Sequence, residues 1–137
     1  METGIAFAEL DLGTEERFVP LRRQLGVTSF GMNQILLRPG QRGRIHTHFN
    51  QEEVYLVLQG TLTLWVEGER HELEQGRLAR VAPKLKRQIA NPHAEDVVIL
   101  ALGGANEHVG RDGEAYETWD SPGAPPQEIP MPEDEAV

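Results

Sequence analysis

Hydrophobic and polar residues alternate in short runs through the middle of the chain, between residues 27 and 102. The clearest run is 61–67, in which Leu62, Leu64 and Val66 fall on one face of an extended segment. Successive side chains of a strand point to opposite faces, so this alternation predicts a strand with one buried face. Glycine and proline separate the runs, and no long helical period lies between them. Short strands at regular spacing predict an all-β sandwich or barrel.

The predicted strands are residues 27–37, 45–48, 54–58, 61–67, 70–73, 78–81, 87–90 and 97–102. Residues 54–58 are apolar on both faces, which predicts a strand that is covered on two sides. Gly40 and Gly60 each close a predicted strand or its turn, and we expect both to be turn glycines with positive φ.

The segments on either side of these strands have a different character. Residues 1–26 show no clean period, and Pro20 would interrupt the short helix that residues 15–25 could form. Residues 103–137 carry nine acidic residues and one basic residue, which accounts for −8 of the net charge of −9. This segment is also rich in proline, so we predict that it runs over the surface or is disordered at its end. The chain is therefore divided into an N-terminal arm (1–26), a barrel (27–102) and an acidic tail (103–137).

Charge and composition exclude several classes of function. The nearly neutral body of the chain lacks the basic stripe that a nucleic-acid-binding surface needs. The longest apolar run, 97–102, is far shorter than the ~20 residues that cross a bilayer. The chain has no cysteine and no visible secretory signal. We expect a cytoplasmic protein whose ligand is a small molecule, with neither nucleic acid nor a membrane as partner.

The residues most suited to a chemical role lie between Gly40 and Gly60. His46 and His48 are two positions apart, so their imidazoles lie on the same face of a strand. Glu53 opens the next strand after a four-residue loop and can return to that face. Two imidazoles and one carboxylate form a facial triad with open coordination positions, which suits a divalent Fe, Mn, Ni or Zn ion.

The pattern Gly-x5-His-x-His-x4-Glu-x6-Gly, from Gly40 to Gly60, resembles the first motif of the cupin superfamily without a deviation. With its flanking strands, the resemblance covers roughly residues 27–102. It implies a double-stranded β-helix barrel of the jelly-roll kind, often dimeric, with one divalent metal ion held by His46, His48 and Glu53. Cupins include dioxygenases, sugar and phosphosugar isomerases, decarboxylases, lyases and non-catalytic binding proteins, so the resemblance leaves the reaction open.

The second cupin motif, Gly-x5-Pro-x-Gly-x2-His-x3-Asn, departs from the family pattern in this chain. Its histidine is the family's fourth metal ligand. When the motif is anchored on Gly76 and Asn91, Ala82, Lys84 and Arg87 stand where proline, glycine and histidine are expected. Arginine has no lone pair to offer and cannot ligate a metal.

Three arrangements of this region remain open. Arg87 could point inward and hold a carboxylate or phosphate beside the metal ion. It could instead pair with Glu53 in a protein that binds no metal. In the third arrangement Arg87 points outward and Gln88 supplies a carbonyl oxygen to the site.

We interpret the chain as a metal-binding cupin that acts on a small organic molecule, an anionic one if Arg87 faces it. An oxygenase- or isomerase-type enzyme is preferred, with Tyr55, Arg87 and Gln88 as candidate catalytic residues. Tyr55 is chosen because it shares strand parity with Glu53. The alternative is a non-catalytic cupin that binds a small molecule or metal and in which Arg87 replaces the fourth ligand. We also predict a homodimer, because the strands with two apolar faces would otherwise leave one exposed, and the arm or tail could cross to the partner.

Overall fold

The structure is a computed structural model that describes residues 4–104 and 112–137. In chain order its strands are β1 (Phe18–Val19), β2 (Gly31–Leu37), β3 (Ile45–Thr47), β4 (Glu52–Gln59), β5 (Leu62–Val66), β6 (Glu69–Leu73), β7 (Leu78–Val81), β8 (Arg87–Ala90), β9 (Val97–Gly104) and β10 (Glu114–Tyr116). The helices are the short α1 (Leu21–Leu25) and a 3₁₀ turn at Pro126–Glu128. No described helix is long and apolar enough to cross a membrane.

The strands form two antiparallel sheets of five. The first sheet has the order β1-β2-β9-β4-β7, and the second has the order β10-β3-β8-β5-β6. Both sheets contribute to one core, whose buried members include Ile35 and Ile99 from the first sheet and Leu62, Leu64 and Ile89 from the second. The all-β architecture predicted from the short, regularly spaced strands is confirmed.

The two glycines that bound the candidate motif have the predicted backbone. Gly40 has φ 86° and Gly60 has φ 78°, both in the left-handed region that favours glycine. A Cβ atom at Gly60 would also collide with the Asp96 carbonyl oxygen. This turn returns the chain from β4 in the first sheet to β5 in the second.

The N-terminal arm contributes to the first sheet before the predicted barrel begins. The helix α1 starts directly after Pro20 and ends at Gly26, so the proline sets its first turn. The two residues of β1 pair with Gln34 and Ile35 of β2. This pairing covers the middle of the outer edge of β2, which would otherwise be a free sheet edge.

The acidic tail covers the second sheet. Its first described segment forms β10, which pairs with β3 through Ala115 and His46. The chain then turns back, and its last residues reach the start of the motif, where the Glu135 amide donates to the Gly40 carbonyl at 2.7 Å. The described tail therefore follows the first of the two predicted courses, over the surface of the barrel.

Candidate metal centre

The three predicted ligands come from two sheets that face each other. His46 lies in β3 of the second sheet, His48 follows the end of that strand, and Glu53 is the second residue of β4 in the first sheet. Strand alternation turns both imidazoles inward, and their ring centroids are 5.1 Å apart. The loop between them and Glu53 carries the chain from one sheet to the other.

The ligand atoms converge on one point. His46 Nε2 is 3.3 Å from Glu53 Oε1, and His48 Nε2 is 3.6 Å from Glu53 Oε2. One potential ligand atom from each of the three residues lies within 4.8 Å of the others. Two ligands that each bind one ion at about 2.1 Å are themselves roughly 3–3.4 Å apart, so the side chains need only small shifts to share an ion.

Both imidazoles direct their Nε2 atoms at Glu53 because their other ring nitrogens are occupied. His46 Nδ1 is 3.2 Å from the Arg44 carbonyl oxygen, and His48 Nδ1 is 2.5 Å from the Asp112 carbonyl oxygen. A carbonyl can only accept, so each Nδ1 carries the proton and donates it. A neutral ring then has its lone pair on Nε2.

If both rings are neutral, the centre consists of three acceptors that face one another without a proton between them. The Nε2 lone pairs of two neutral rings would face a carboxylate with no hydrogen atom between them, and the buried His48 Nε2 has no hydrogen-bond partner among the described residues. Either extra protons on the imidazoles or a metal cation would resolve this repulsion. Nitrogen and carboxylate donors with carbonyl-oriented histidines are also what a transition-metal site requires, so the residues fit a divalent ion.

The pKa shifts have the same electrostatic origin. Burial alone would raise the pKa of the Glu53 carboxyl, but hydrogen bonds and charge from His46 and His48 outweigh burial and hold this pKa well below its ordinary value. Burial likewise acts to lower the pKa of His48, but the Glu53 carboxylate and the Asp112 carbonyl outweigh it, so this pKa is raised. The centre favours a carboxylate together with positive charge beside it.

Tyr55 completes the environment of the carboxylate. Its side chain is buried on the same face of β4 as Glu53, as strand parity predicted, and its hydroxyl donates a hydrogen bond to Glu53 Oε1. Burial and the neighbouring carboxylate raise the pKa of Tyr55 well above its ordinary value. Tyr55 therefore stays protonated at neutral pH and acts here as a donor that fixes Glu53.

Arg87 approaches Glu53 from the protein interior, not from the cavity. Its side chain is 0% exposed, and its Nε lies 3.6 Å from Glu53 Oε1. The terminal nitrogens donate to the carbonyls of Pro83 and Ala82, each at 3.0 Å. Arg87 thus points inward, as two of the three predicted arrangements require, but it does not line the cavity. A molecule in the cavity meets its charge only through Glu53, so the structure does not place Arg87 where it could hold a substrate anion.

Gln88 does not join the cluster. Its amide nitrogen donates to the Gly43 carbonyl at 3.0 Å, and its side chain lines a groove between the second sheet and the tail, with Arg42 and Tyr116. The arrangement in which Gln88 supplies an inward oxygen is therefore not the one observed. The physical reason is strand alternation, because consecutive residues of β8 face opposite sides and Arg87 takes the inner one.

A cavity of about 350 Å³ opens onto the three predicted ligands. Most of its wall is apolar, with Phe18, Ile35, Ile89 and Ala101 from the strands and Pro126 and Met131 from the tail. This volume lies at the small end of ligand-binding sites and suits a molecule of modest size. The tail residues form one side of the mouth.

Two residues of this site were missed by the sequence reasoning. The Asp112 carboxylate accepts the backbone N–H groups of Asn50 and Gln51, at 3.0 and 2.8 Å, and so holds the loop between His48 and Glu53. No sequence signal connects Asp112 with that loop, which is more than 60 residues away. Arg44 also lines the cavity. The sequence could have predicted this, because Arg44 precedes His46 by two positions and such residues of an extended segment share a face.

Comparison with known proteins agrees with this geometry. A model of the cupin domain family matches residues 33–103, just over half of the chain. An uncharacterized protein of Methanocaldococcus jannaschii is 29% identical over 52 residues, which are 38% of this chain and 42% of that protein. The match thus spans less than half the length of this curated relative.

Solved structures resemble the fold over a larger share of the chain. A cupin protein from Bacteroides fragilis superposes with a TM-score of 0.67 at 24% identity, over 76% of this chain and 86% of that one. A sugar phosphate isomerase of the cupin superfamily from Silicibacter pomeroyi gives a TM-score of 0.62 at 20% identity, over 84% and 79% of the two chains. At these identities the likeness concerns the fold.

Proposed function

Because the chain belongs to the cupin domain family, we propose that it is a divalent-metal-dependent enzyme that acts on a small organic molecule, with oxygenase chemistry as its reaction type. The proposal rests on one observation above all. Two imidazole Nε2 atoms and a carboxylate converge in a cavity, and both imidazoles use their other nitrogen to donate to a carbonyl.

His46, His48 and Glu53 are the proposed ligands of an Fe, Mn, Ni or Zn ion. Such an ion, when bound, supplies a Lewis acid that polarises a substrate oxygen or a centre that activates O₂. The chain contains no cysteine, so the ligand set consists of nitrogen and oxygen donors. Tyr55 holds the Glu53 carboxylate in place, and Arg87 balances its charge from the protein interior.

The groups that line the cavity favour an oxygenase over an isomerase. Isomerisation of a sugar phosphate, the activity named for the Silicibacter pomeroyi neighbour, needs a general base when it proceeds by proton transfer through an enediol. Among the described lining residues, Asp112 is engaged by backbone N–H groups, Tyr55 stays protonated, and the remaining base candidates are the three ligands. An oxygenase needs no general base among these residues, because a bound ion would supply the chemistry with O₂.

A second candidate function follows from Arg87. Its guanidinium lies beside Glu53 and offers positive charge to the carboxylate where the family places a fourth ligand. At about 4 Å and an effective dielectric constant of 20, two unit charges interact by roughly 4 kcal/mol, so this arginine acts against a cation at the centre. The alternative is therefore a non-catalytic cupin that binds a small molecule without a metal ion.

Metal content distinguishes the two candidates. We expect protein purified without chelator to contain close to one Fe, Mn, Ni or Zn ion per chain, measured by plasma mass spectrometry. His46→Ala should lose the ion because a ligand is removed. The exposed His71 provides the control, and His71→Ala should retain the metal. Wild-type protein that contains no metal, and takes up none of the four ions when they are added, would support the non-catalytic alternative.

A second measurement addresses the reaction type. Nitric oxide binds at the open positions of an Fe(II) centre where O₂ would bind. We expect Fe(II)-loaded protein to give a high-spin iron–nitrosyl EPR signal that is absent from His46→Ala. A stoichiometrically loaded protein that gives no such signal would contradict the oxygenase assignment.

A further inference from the structure

Arg44 places a positive charge on the cavity wall beside the proposed metal ligands. It precedes His46 by two positions and lines the same cavity as His46, His48 and Glu53. Residues two apart on an extended segment lie roughly 7 Å from each other along the chain. Arg44 therefore lines a part of the wall that is one such spacing away from His46.

The tail fixes the orientation of this side chain. Arg44 Nε donates to the Ile129 carbonyl at 2.6 Å. A guanidinium has five N–H groups in one plane, so a bond through Nε orients the plane and leaves the two terminal nitrogens for other acceptors. Within residues 4–104 and 112–137, no carboxylate forms an ion pair with Arg44.

The other charged groups of the wall are already engaged. Glu53 is bound by His46 and Tyr55, and the Asp112 carboxylate accepts two backbone N–H groups. Among the described lining residues Arg44 is the only lysine or arginine. A half-buried cation that has no countercharge among the described residues attracts an anion, and its planar fork matches the two oxygens of a carboxylate.

We propose that Arg44 binds the carboxylate of a small organic acid and thereby sets the substrate class of this site. The apolar body of the acid contacts Ile35, Ile89 and Met131, and its far end presents oxygen atoms to the proposed metal centre. This assignment rests on the proposed function for the position of that far end. It gives to Arg44 the anion-binding role that the buried Arg87 cannot fill.

Two probes of similar shape, one anionic and one neutral, test the assignment. 3,4-Dihydroxybenzoate has a carboxylate at one end and two metal-binding oxygens at the other, and 3,4-dihydroxybenzamide is its neutral analogue. We expect the Zn(II)-loaded wild type to bind the acid about tenfold more tightly than the amide by calorimetry, a ratio that corresponds to about 1.4 kcal/mol. In Arg44→Gln the ratio of the two Kd values should fall to about one, with the Kd of the amide unchanged.

Arg42→Gln is the matched control. Arg42 also donates through Nε to a tail carbonyl, that of Glu133 at 3.1 Å, but it lines the groove beside Gln88 rather than the cavity. Its replacement removes the same charge and a similar tail contact, and the acid-to-amide ratio should stay at the wild-type value. A ratio that is unchanged in Arg44→Gln, or that falls equally in both variants, would overturn the role of Arg44.

A prior Zn(II) titration of the wild type and of Arg44→Gln distinguishes an error in the proposed function from an error in this inference. If the wild type binds Zn(II), the dihydroxy probes decide the role of Arg44. If it binds none, the metal-dependent function fails, and benzoate and benzamide are compared on the metal-free protein by NMR titration. A preference for benzoate that disappears in Arg44→Gln then supports the assignment, and no preference in the wild type refutes it.

Discussion

Arg87 is a fully buried cation, and its acceptors explain how the barrel tolerates it. Its terminal nitrogens donate to the carbonyls of Ala82 and Pro83 at 3.0 Å, and a weaker contact of 3.4 Å reaches Val81. The Glu53 carboxylate lies close enough to neutralise the charge. A buried charge of this kind is retained only when such partners compensate for the loss of its hydration. Arg87 therefore contributes to folding as well as to the electrostatics of the centre.

Removal of Arg87 should destabilise the protein strongly. We expect Arg87→Met to lower the free energy of unfolding by about 3–5 kcal/mol in metal-free protein, because it removes the buried countercharge of Glu53 and the donors to the Ala82 and Pro83 carbonyls. Arg80→Met is the matched control. Arg80 also pairs with a glutamate of β4, Glu52 at 2.5 Å, but it is exposed, so its loss should cost at most about 1 kcal/mol. Urea denaturation in the presence of chelator measures both, and equal losses would refute the difference between them.

The convergence of His46, His48 and Glu53 was predictable from the sequence because strand parity and motif spacing are local properties. The direction of Arg87 was not, since a one-residue bulge would have exchanged it with Gln88. Asp112 was beyond reach for another reason. Its partners are backbone groups, which carry no sequence signature, and they lie far away in the chain.

At the scale of elements, the turn between β4 and β5 depends on one glycine in two ways. Gly60 has φ 78°, and a side chain there would meet the Asp96 carbonyl and lie 3.2 Å from Val97 Cα. Gly68, in the hairpin between β5 and β6, has nearly the same φ of 79°, but nothing lies within 4 Å of the position that a Cβ atom would take there. A comparison of substitutions at Gly60 and Gly68 therefore separates the cost of backbone strain, which both share, from the cost of steric collision, which only Gly60 has.

We expect Gly68→Ala to lower the free energy of unfolding by about 1–2 kcal/mol, the cost of a left-handed alanine. Gly60→Ala has the same strain and must also displace backbone, which should add roughly 1–3 kcal/mol. Urea denaturation of both variants gives the comparison. A Gly60→Ala protein as stable as Gly68→Ala would show that the turn relaxes without cost.

The inner strands were readable from short apolar or alternating runs that glycine and proline separate, because such runs are long enough for a strand and too short for a helix. The edge strands β1 and β10 could not be foreseen, because what recruits them is the free backbone of β2 and β3 rather than a pattern of their own. For the same reason the sheets extend on both sides beyond residues 27–102. The helix α1 was predicted in part. Pro20 was expected to interrupt a helix over residues 15–25, and the helix instead begins directly after Pro20.

At the scale of the molecule, apolar side chains are exposed or partly exposed in two places of the described structure. On the outer face of β4, Val54, Leu56 and Leu58 are only partly buried. In the N-terminal arm, Ile5 and Phe7 are 66% and 82% exposed. Two apolar regions on one chain of this size are typical of a protein that associates. We propose that both are covered in a homodimer.

Light scattering at micromolar concentration should give twice the mass of the chain. Replacement of Ile5 and Phe7 together by serine should shift the protein towards monomer, because it removes apolar area from the proposed interface. The exposed Leu85, which lies outside both regions, offers a control in Leu85→Ser. A monomeric wild type would contradict the proposal.

Residues 126–131 of the tail give the cavity one side that belongs to neither sheet. Pro126 and Met131 face the cavity, while the histidines and the glutamate are supplied by β3 and β4 and the loop between them. Substitutions in that part of the tail alter the shape of the mouth without disturbing strand register or the coordinating side chains. Selection could therefore change which molecules enter the cavity while His46, His48 and Glu53 stay in place. Mutant libraries aimed at new specificity are best confined to residues 126–131.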